Sequence, residues 1–519
     1  MTNNAAEELL ERFANYCNIT IPHSTIVDKA GDKYLTIHVG AINDIYTDAL
    51  ATVRHELSDT NEYAERVFLK KTTPKPWLQS LEVQLLQRVL SESLTVGKGT
   101  LESGFHEKFI PFLGGEERRI YSAANHVVFG RRGAGKSSLV LYACNQARRE
   151  GKPFAWIALQ QYSGRDDLLV IPQVLYEIVD SVSRFSGVPA DTLDRMKGVV
   201  YRLEEKGGRL TKKDINQVLP IFARDFLPFV KKHGQFYIFL DDLHLLHPRI
   251  QPYFLSALYS FSRGNNVYLK ITAIENLTVL LHEGTNEGLQ TPGDAQVIRL
   301  DYNLVDPSAA LQHLRQILNS YVRYIGLPSL SSIAGKAVIE RLVWVSAGVP
   351  RDALYIFNNA ITKAIAAARK SVAVTDINMA AADSLTEKER YVSDDVGEDS
   401  TIMNNIVTDI KDFCLKTIHS NAFLVRLDSS DPKYRLIKKV SDLRFIHVLH
   451  PGITPERAGE KYEAYMLDYA FYTGFRKAPS VKEFQSRPTQ PLAKDLRKLE
   501  RYPYTQRDVY HGIDTSEAV

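Results

Sequence analysis

The spacing of apolar positions along this chain changes several times, and each change marks an expected unit. In residues 1–100 the pattern is mixed. Positions 6–17 are apolar on one helical face, and 34–39 alternate as a strand. Positions 41–69 and 77–94 read as helices on either side of the breaker Thr72-Thr73-Pro74-Lys75-Pro76. This α+β region matches no known module, and contact with a protein effector, or self-association, is the role expected of it. From 101 to 305, short continuous apolar runs at 126–129, 154–159, 236–240, 267–274 and 297–300 alternate with helical stretches at 139–143, 167–185, 219–232 and 250–262. Residues 187–217 read as a charged insertion. That alternation predicts an α/β unit, a doubly wound parallel sheet with helices on both faces. Residues 306–385 turn wholly helical, with helices at 309–326, 332–347 and 352–370 and a short one over 374–382, an all-α lid. Residues 386–402 are acidic and polar and read as a linker. In 403–478 two helices, 403–418 and one ending at 443, precede strands at 444–450 and 462–471 around a turn-rich loop. Helices followed by a two-stranded wing describe a winged-helix domain. Residues 479–519 form a C-terminal tail in which 494–501 reads as a solvated mixed-charge helix.

The sheet pattern gains chemistry at Gly130-Arg131-Arg132-Gly133-Ala134-Gly135-Lys136-Ser137, continued by Ser138. The segment fits the G-x-x-x-x-G-K-[ST] phosphate-binding loop without mismatch, after an expected strand and before an expected helix. Glycines let the backbone curl and approach phosphates, and successive N–H groups then point inward as an anion nest beside a helix N-terminus. Lys136 would reach the β- and γ-phosphates, and the Ser137 hydroxyl would be a Mg²⁺ ligand. ATP and Mg²⁺ are therefore the expected cofactors. The second element is Phe236-Tyr237-Ile238-Phe239-Leu240-Asp241-Asp242, an apolar strand with two carboxylates at its C-terminal end, where ligands of open α/β sheets bind. Asp241 would hold Mg²⁺, and Asp242 would orient or deprotonate the attacking water.

These motifs, a polar residue on the next strand, Gly348-Val349-Pro350-Arg351 in the helical lid and a C-terminal winged helix together resemble an AAA+ ATPase. Within that family the chain resembles the origin-recognition initiator clade and its bacterial relatives, over about residues 105–475. The resemblance implies ATP hydrolysis. It implies that Thr272 or Asn276 is a first sensor at the γ-phosphate or its water, and that Arg351 is a second sensor reaching from the lid. It also implies a switch whose nucleotide state governs binding to double-stranded DNA, in replication, transposition or antiviral defence of bacteria, as a homo-oligomer. Two departures stand out. The second acid is Asp242 where active relatives commonly carry Glu, which implies slow turnover and resembles signalling NTPases of the STAND class. No arginine lies in 277–296 to act on a neighbour's ATP, which leaves Arg263 as the alternative finger. The STAND-like reading implies oligomerisation on a protein or nucleic-acid trigger to control an effector.

Composition narrows the partners. A formal net charge of +3 over 519 residues is too small to argue for nucleic acid by itself. In the winged-helix region Lys438, Lys439, Arg457 and Lys461 are the candidate DNA contacts, although Asp442, Glu456, Glu460 and Glu463 are interleaved with them. The aromatic run Tyr462, Tyr465, Tyr469, Phe471, Tyr472 and Phe475 reads as core. Three scattered cysteines, Cys17, Cys144 and Cys414, suggest a reducing compartment and no structural zinc. The acidic N-terminus lacks a signal-peptide core and no apolar run is long enough to span a membrane, so the expectation is a cytoplasmic protein without membrane contact.

Overall fold

The computed structural model describes residues 2–503 apart from 30, 75, 98–109, 113, 186–188, 301–302, 397–399, 455–459, 474–480 and 486. At the N-terminus, α1 (Thr2–Cys17), β1 (Ser24–Lys29), β2 (Asp32–Val39), α2 (Asp44–Leu57), β3 (Val67–Lys71) and α3 (Leu81–Glu92) follow in order. β2 pairs antiparallel with β1 and parallel with β3. The single helix expected over 41–69 is not formed. Asn43 caps α2 by accepting the Tyr46 N–H at 2.9 Å. Past Leu57, the Asn61 side chain accepts the Tyr63 N–H at 3.0 Å, a local bond that competes with helix continuation. The β-forming run that begins at Val67 then joins the sheet.

The next unit runs α4 (Glu116–Ile120), β4 (His126–Phe129), α5 (Lys136–Arg149), β5 (Phe154–Ala158), α6 (Val170–Ser183), α7 (Ala190–Glu204), α8 (Lys212–His233), β6 (Phe236–Asp241), α9 (Gln251–Ser262) and β7 (Val267–Ala273). A small hairpin of β8 (Leu281–His282) and β9 (Glu287–Gly288) precedes β10 (Gln296–Arg299). Five strands form a parallel sheet in the order β10-β4-β7-β6-β5, the α/β class expected. Alternate residues of each strand enter different cores. Val127, Ile238 and Leu240 pack with α6, α8 and α9, whereas Val128, Tyr237 and Phe239 pack with α5 on the other face. The charged stretch 187–217 is not a bare insertion. It holds α7, which buries Met196, Val199, Val200 and Leu203, and a capping box between Thr211 and Asp214 that starts α8 seven residues before the expected position 219.

The lid comprises α10 (Pro307–Ile325), α11 (Lys336–Val345), α12 (Pro350–Ala366) and α13 (Val374–Val396). α13 is far longer than the short helix expected, and α14 (Ser400–Asp412) starts soon after it, so most of the stretch read as a linker over 386–402 is helical. β11 (Ala422–Arg426), α15 (Pro432–Asp442), β12 (Ile446–Ile453), β13 (Tyr462–Leu467) and α16 (Ala493–Leu496) complete the chain. The last sheet is antiparallel, in the order β11-β13-β12. Tyr462, Tyr465, Tyr469, Phe471 and Tyr472 are buried in it, and Phe475 lies outside the described residues. The tail helix expected over 494–501 is a four-residue turn. Beyond it the Leu424 N–H donates to Glu500 O and the Tyr502 N–H to Leu424 O, both at 2.8 Å, so residues 500–502 lie along β11 instead of in solvent.

One continuous hydrophobic core joins the N-terminal unit, the lid and the C-terminal sheet, while the parallel sheet keeps its own two cores. Polar bonds pin the first of these junctions. Asn43 Nδ2 donates to Ile325 O at 2.8 Å, Gln87 Nε2 to Thr362 Oγ1 at 2.8 Å and Asn358 Nδ2 to Ser91 Oγ at 2.9 Å. The described N-terminal unit, through α2 and α3, is thus seated on the lid. No helix among the described residues is long and apolar enough to cross a membrane.

Candidate functional site

β4 ends at Phe129, the chain turns through 130–135, and α5 begins at Lys136. Gly133 and Gly135 have φ of +83° and +98°, a region where a side chain is strained. Space forbids one as well. A Cβ on Gly133 would lie 2.9 Å from Arg351 Cβ and 3.0 Å from Val349 Cγ1, and one on Gly135 would lie 3.1 Å from Phe112 Cζ. Lys136 is buried and folds back over the loop, its Nζ donating to Gly130 O at 3.0 Å and Arg131 O at 3.4 Å. Burial pushes its pKa down, and Asp242 and Asp241 pull the other way.

β7 lies between β4 and β6, so Thr272 sits beside the carboxyl end of β6. Its hydroxyl donates to Asp241 Oδ1 and accepts the Asp242 N–H at 2.9 Å. Asp241 is buried and is also hydrogen-bonded by the Ser137 side chain. Burial and then the neighbouring Asp242 raise its pKa to about 6, against the hydrogen bonds from Thr272 and Ser137 and the charge of Lys136. Asp242 adopts the left-handed conformation at φ 62°, ψ 52°, which turns the chain sharply after the strand. A buried carboxylate bonded to a hydroxyl at the start of α5 is the donor pair a Mg²⁺ ion requires. Among the described residues no cluster of three or more His, Cys, Asp or Glu offers a complete metal site, so the ion's remaining ligands would be phosphate and water oxygens. The loop, with its N–H groups, three glycines and buried ammonium, fits a triphosphate.

The lid closes directly on this loop. Pro350 opens α12, and the Arg351 N–H donates to Gly133 O at 3.3 Å. A cleft of about 900 Å³ results. Its lining includes the polar side chains of Arg132, Lys136, Ser137, Ser138, Asp242, His244 and Arg351 and the apolar ones of Leu94, Val96, Phe112, Ile317, Tyr321 and Leu354. Leu94 and Val96 come from the N-terminal unit, which sequence reasoning kept apart from the core. Arg444 is buried and forms an ion pair with Asp352 inside the same cleft, as does Lys388 with Asp468 nearby. No local signal marks these residues, since their partners lie 92 and 80 positions away.

Some expected site residues point elsewhere. The Arg131 side chain leaves the loop. Its Nη1 lies 3.2 Å from His447 Nδ1 on β12, and its Nη2 donates to Ala347 O at 3.3 Å. His447 Nε2 in turn is 2.7 Å from Asp468 Oδ2, so a buried polar chain runs from the loop into the C-terminal sheet. Asn276, one of two candidates for the first sensor, donates to Asp442 Oδ2 on α15 at 2.7 Å and is engaged away from the Asp241 cluster, which Thr272 joins. Lys438 is paired with Glu463 at 3.2 Å, Lys439 is half-buried, Lys461 is exposed, and Arg457 lies outside the described residues. Arg263 is exposed at the opposite, N-terminal edge of the sheet, beside the Asn125 and Val267 ends of the strands.

No protein-family model and no curated protein matches the chain in sequence. Three solved structures are similar to it at TM-scores below 0.5. A Walker-type ATPase of Pyrococcus abyssi is 13% identical with a TM-score of 0.42, over 69% of this chain and 94% of that one. Cdc6p of Pyrobaculum aerophilum is 12% identical with a TM-score of 0.37, over 72% and 95%. The ORC1 protein of Aeropyrum pernix, solved in complex with DNA, is 14% identical with a TM-score of 0.38, over 71% and 92%.

Proposed function

We propose that this chain is an AAA+-type switch that binds ATP, hydrolyses it slowly, and passes its nucleotide state to the C-terminal domain. One observation carries the reading: the phosphate loop touches two other units at once, Gly133 against Arg351 of the lid and Arg131 against His447 of the C-terminal sheet. Loop N–H groups and Lys136 receive the triphosphate, and the Arg351 guanidinium is placed to read the γ-phosphate from the lid. Thr272 holds Asp241 in place beside Ser137 and fixes the Asp242 backbone. Asp242 then accepts the proton of the attacking water. Mg²⁺, when bound, supplies charge that offsets the phosphate oxygens. Loss of the γ-phosphate frees Arg351, and the change at the loop reaches α15 and β12 through Arg131.

Double-stranded DNA is the expected partner of the C-terminal domain, whose β11-β13-β12 sheet supports a winged-helix reading, with the single helix α15 between β11 and β12. The setting is replication, transposition or bacterial defence. In the docked arrangement Asp442 at the end of α15 is bonded to Asn276, so DNA contact through that helix belongs to an undocked form. The buried Arg444–Asp352 pair favours a second reading, a STAND-like NTPase held closed until a trigger releases it to oligomerise. Assembly of the chain on ATP and trigger, without salt-dependent DNA affinity, selects that reading.

The test of the nucleotide reading is Asp242→Asn. Asn tolerates the left-handed conformation as Asp does, so the fold and Mg·ATP binding should persist. Steady-state hydrolysis should fall by about 100-fold or more, since a positioned proton acceptor contributes about that much. Equal phosphate release by parent and variant removes Asp242 from the mechanism.

A further inference from the structure

The N-terminal unit takes no part in holding the phosphates, yet it reaches their cleft. α3 stops at Glu92, and the residues that follow it, Ser93, Leu94, Thr95 and Val96, line the same cavity as the phosphate loop. The two apolar ones are anchored in different cores. Leu94 packs against the core shared by the N-terminal unit and the lid, and Val96 against the sheet core that contains Phe112. The course of the cleft follows from α10. Phe112 lies against the loop, its Cζ 3.1 Å from where a Gly135 Cβ would stand, and its ring stacks on His313 at 5.8 Å and 25°. His313, Ile317 and Tyr321 recur every four residues on α10 and all line the cleft. Tyr321 lies two turns, about 12 Å, further along the helix than His313, and its hydroxyl is hydrogen-bonded with the Ser93 side chain. The cleft therefore runs on along α10 from the loop to the end of α3.

We infer that Leu94 and Val96 form a wall of the subsite that takes the nucleotide base, so that the N-terminal unit itself binds part of the nucleotide. The inference rests on the nucleotide-binding reading of the loop, and adds to it a base contact and a role for the N-terminal unit. A triphosphate held by the loop N–H groups and Lys136 leaves its nucleoside outside the loop, in the remainder of the same cleft. Leu94, Val96 and Ile317 line that cleft and are only partly buried. Apolar surface left open in a cleft gains free energy when a flat, uncharged ring system covers it. No residue from Ser93 to Val96 carries a charge, so the segment contributes apolar area and not phosphate binding. One bound nucleotide then touches the loop, the lid and the N-terminal unit together.

The experiment measures the affinity of the full chain for Mg·ATP and for magnesium tripolyphosphate, which carries the phosphates without the nucleoside. It compares the parent, the double variant Leu94→Ala/Val96→Ala and the conservative double variant Leu94→Met/Val96→Ile. The expected result is Mg·ATP affinity about tenfold weaker in the alanine variant, the effect of leaving about 50 Å² of apolar contact unmade. Tripolyphosphate affinity should stay within about twofold of the parent. The conservative variant keeps the apolar area and should bind Mg·ATP within about threefold of the parent. Val96→Ala alone is a smaller truncation at a partly exposed position, for use if the double variant does not fold, and about a threefold loss is expected of it. Mg·ATP affinity unchanged by truncation, in a parent that binds it, overturns the inference alone. So does an equal fall for Mg·ATP and tripolyphosphate, which marks a distorted loop instead of a lost base contact. A parent that binds neither compound overturns the nucleotide reading as well.

Discussion

Lys136→Ala should weaken Mg·ATP binding by about 100-fold while leaving the ligand-free protein as stable as the parent. Two physical terms set this expectation. Charge-assisted hydrogen bonds of an ammonium to phosphate contribute about 1.5–3 kcal/mol each, and about 2.7 kcal/mol corresponds to 100-fold in affinity. In the free protein the same ammonium is buried and, among the described residues, bonded only to Gly130 O and Arg131 O, with burial lowering its pKa, so removing it relieves a desolvation cost. Calorimetric titration reads the affinity. Thermal denaturation gives a second readout, because ligand at about 100 times the dissociation constant stabilises a parent by about 2.7 kcal/mol. The variant at that concentration should gain only a few tenths. An unaltered affinity in Lys136→Ala would place the nucleotide elsewhere.

Asp468→Asn should produce the largest loss of stability, about 3–5 kcal/mol, because it leaves a buried charge without its counter-ion. Asp468 is 1% exposed and accepts from Lys388, itself 4% exposed, from His447 and from the Ala470 N–H at 2.9 Å. Burial alone would raise its pKa, but Lys388 and His447 outweigh that and hold the carboxyl below the usual carboxylate range. A depressed carboxylate adds stability that is present above the unfolded value of 3.8 and lost as pH falls through the folded one. The gap between parent and variant should therefore be full at neutral pH and narrow below about pH 4. Urea midpoints at pH 7 and about pH 2.5 check both statements. Equal midpoints at pH 7 would mean that the Lys388–Asp468–His447 chain carries no load.

The local chemistry of the site was legible because each piece is written over a few consecutive residues. A glycine loop needs its strand and helix next to it, so 130–138 could be read directly. The apolar strand before Asp241 announces where its carboxylate emerges. Thr272 was one of two candidates because strand register is not written in sequence; pairing with β4 and β6 brings Thr272 to the Asp241 carboxylate, while Asn276 bonds to Asp442. The junctions were not legible. Arg131 is 316 residues from His447, and nothing near either residue marks the contact. The acidic stretch read as a linker is helix because α13 continues to Val396, against its polar composition. β11 escaped notice because it is a short apolar run whose partners, β13 and the segment at 500–502, lie far along the chain.

What unites these junctions is that the loop, the lid and the C-terminal sheet meet at one place, so occupancy of the loop should be felt in the sheet. Hydrogen–deuterium exchange of α15 and β12, with and without saturating Mg·ATP, tests this most directly. The account predicts that ATP changes the protection of both elements in the parent, that ADP does so less, and that Lys136→Ala shows neither change. Exchange in α15 and β12 that is identical with and without bound ATP would contradict it.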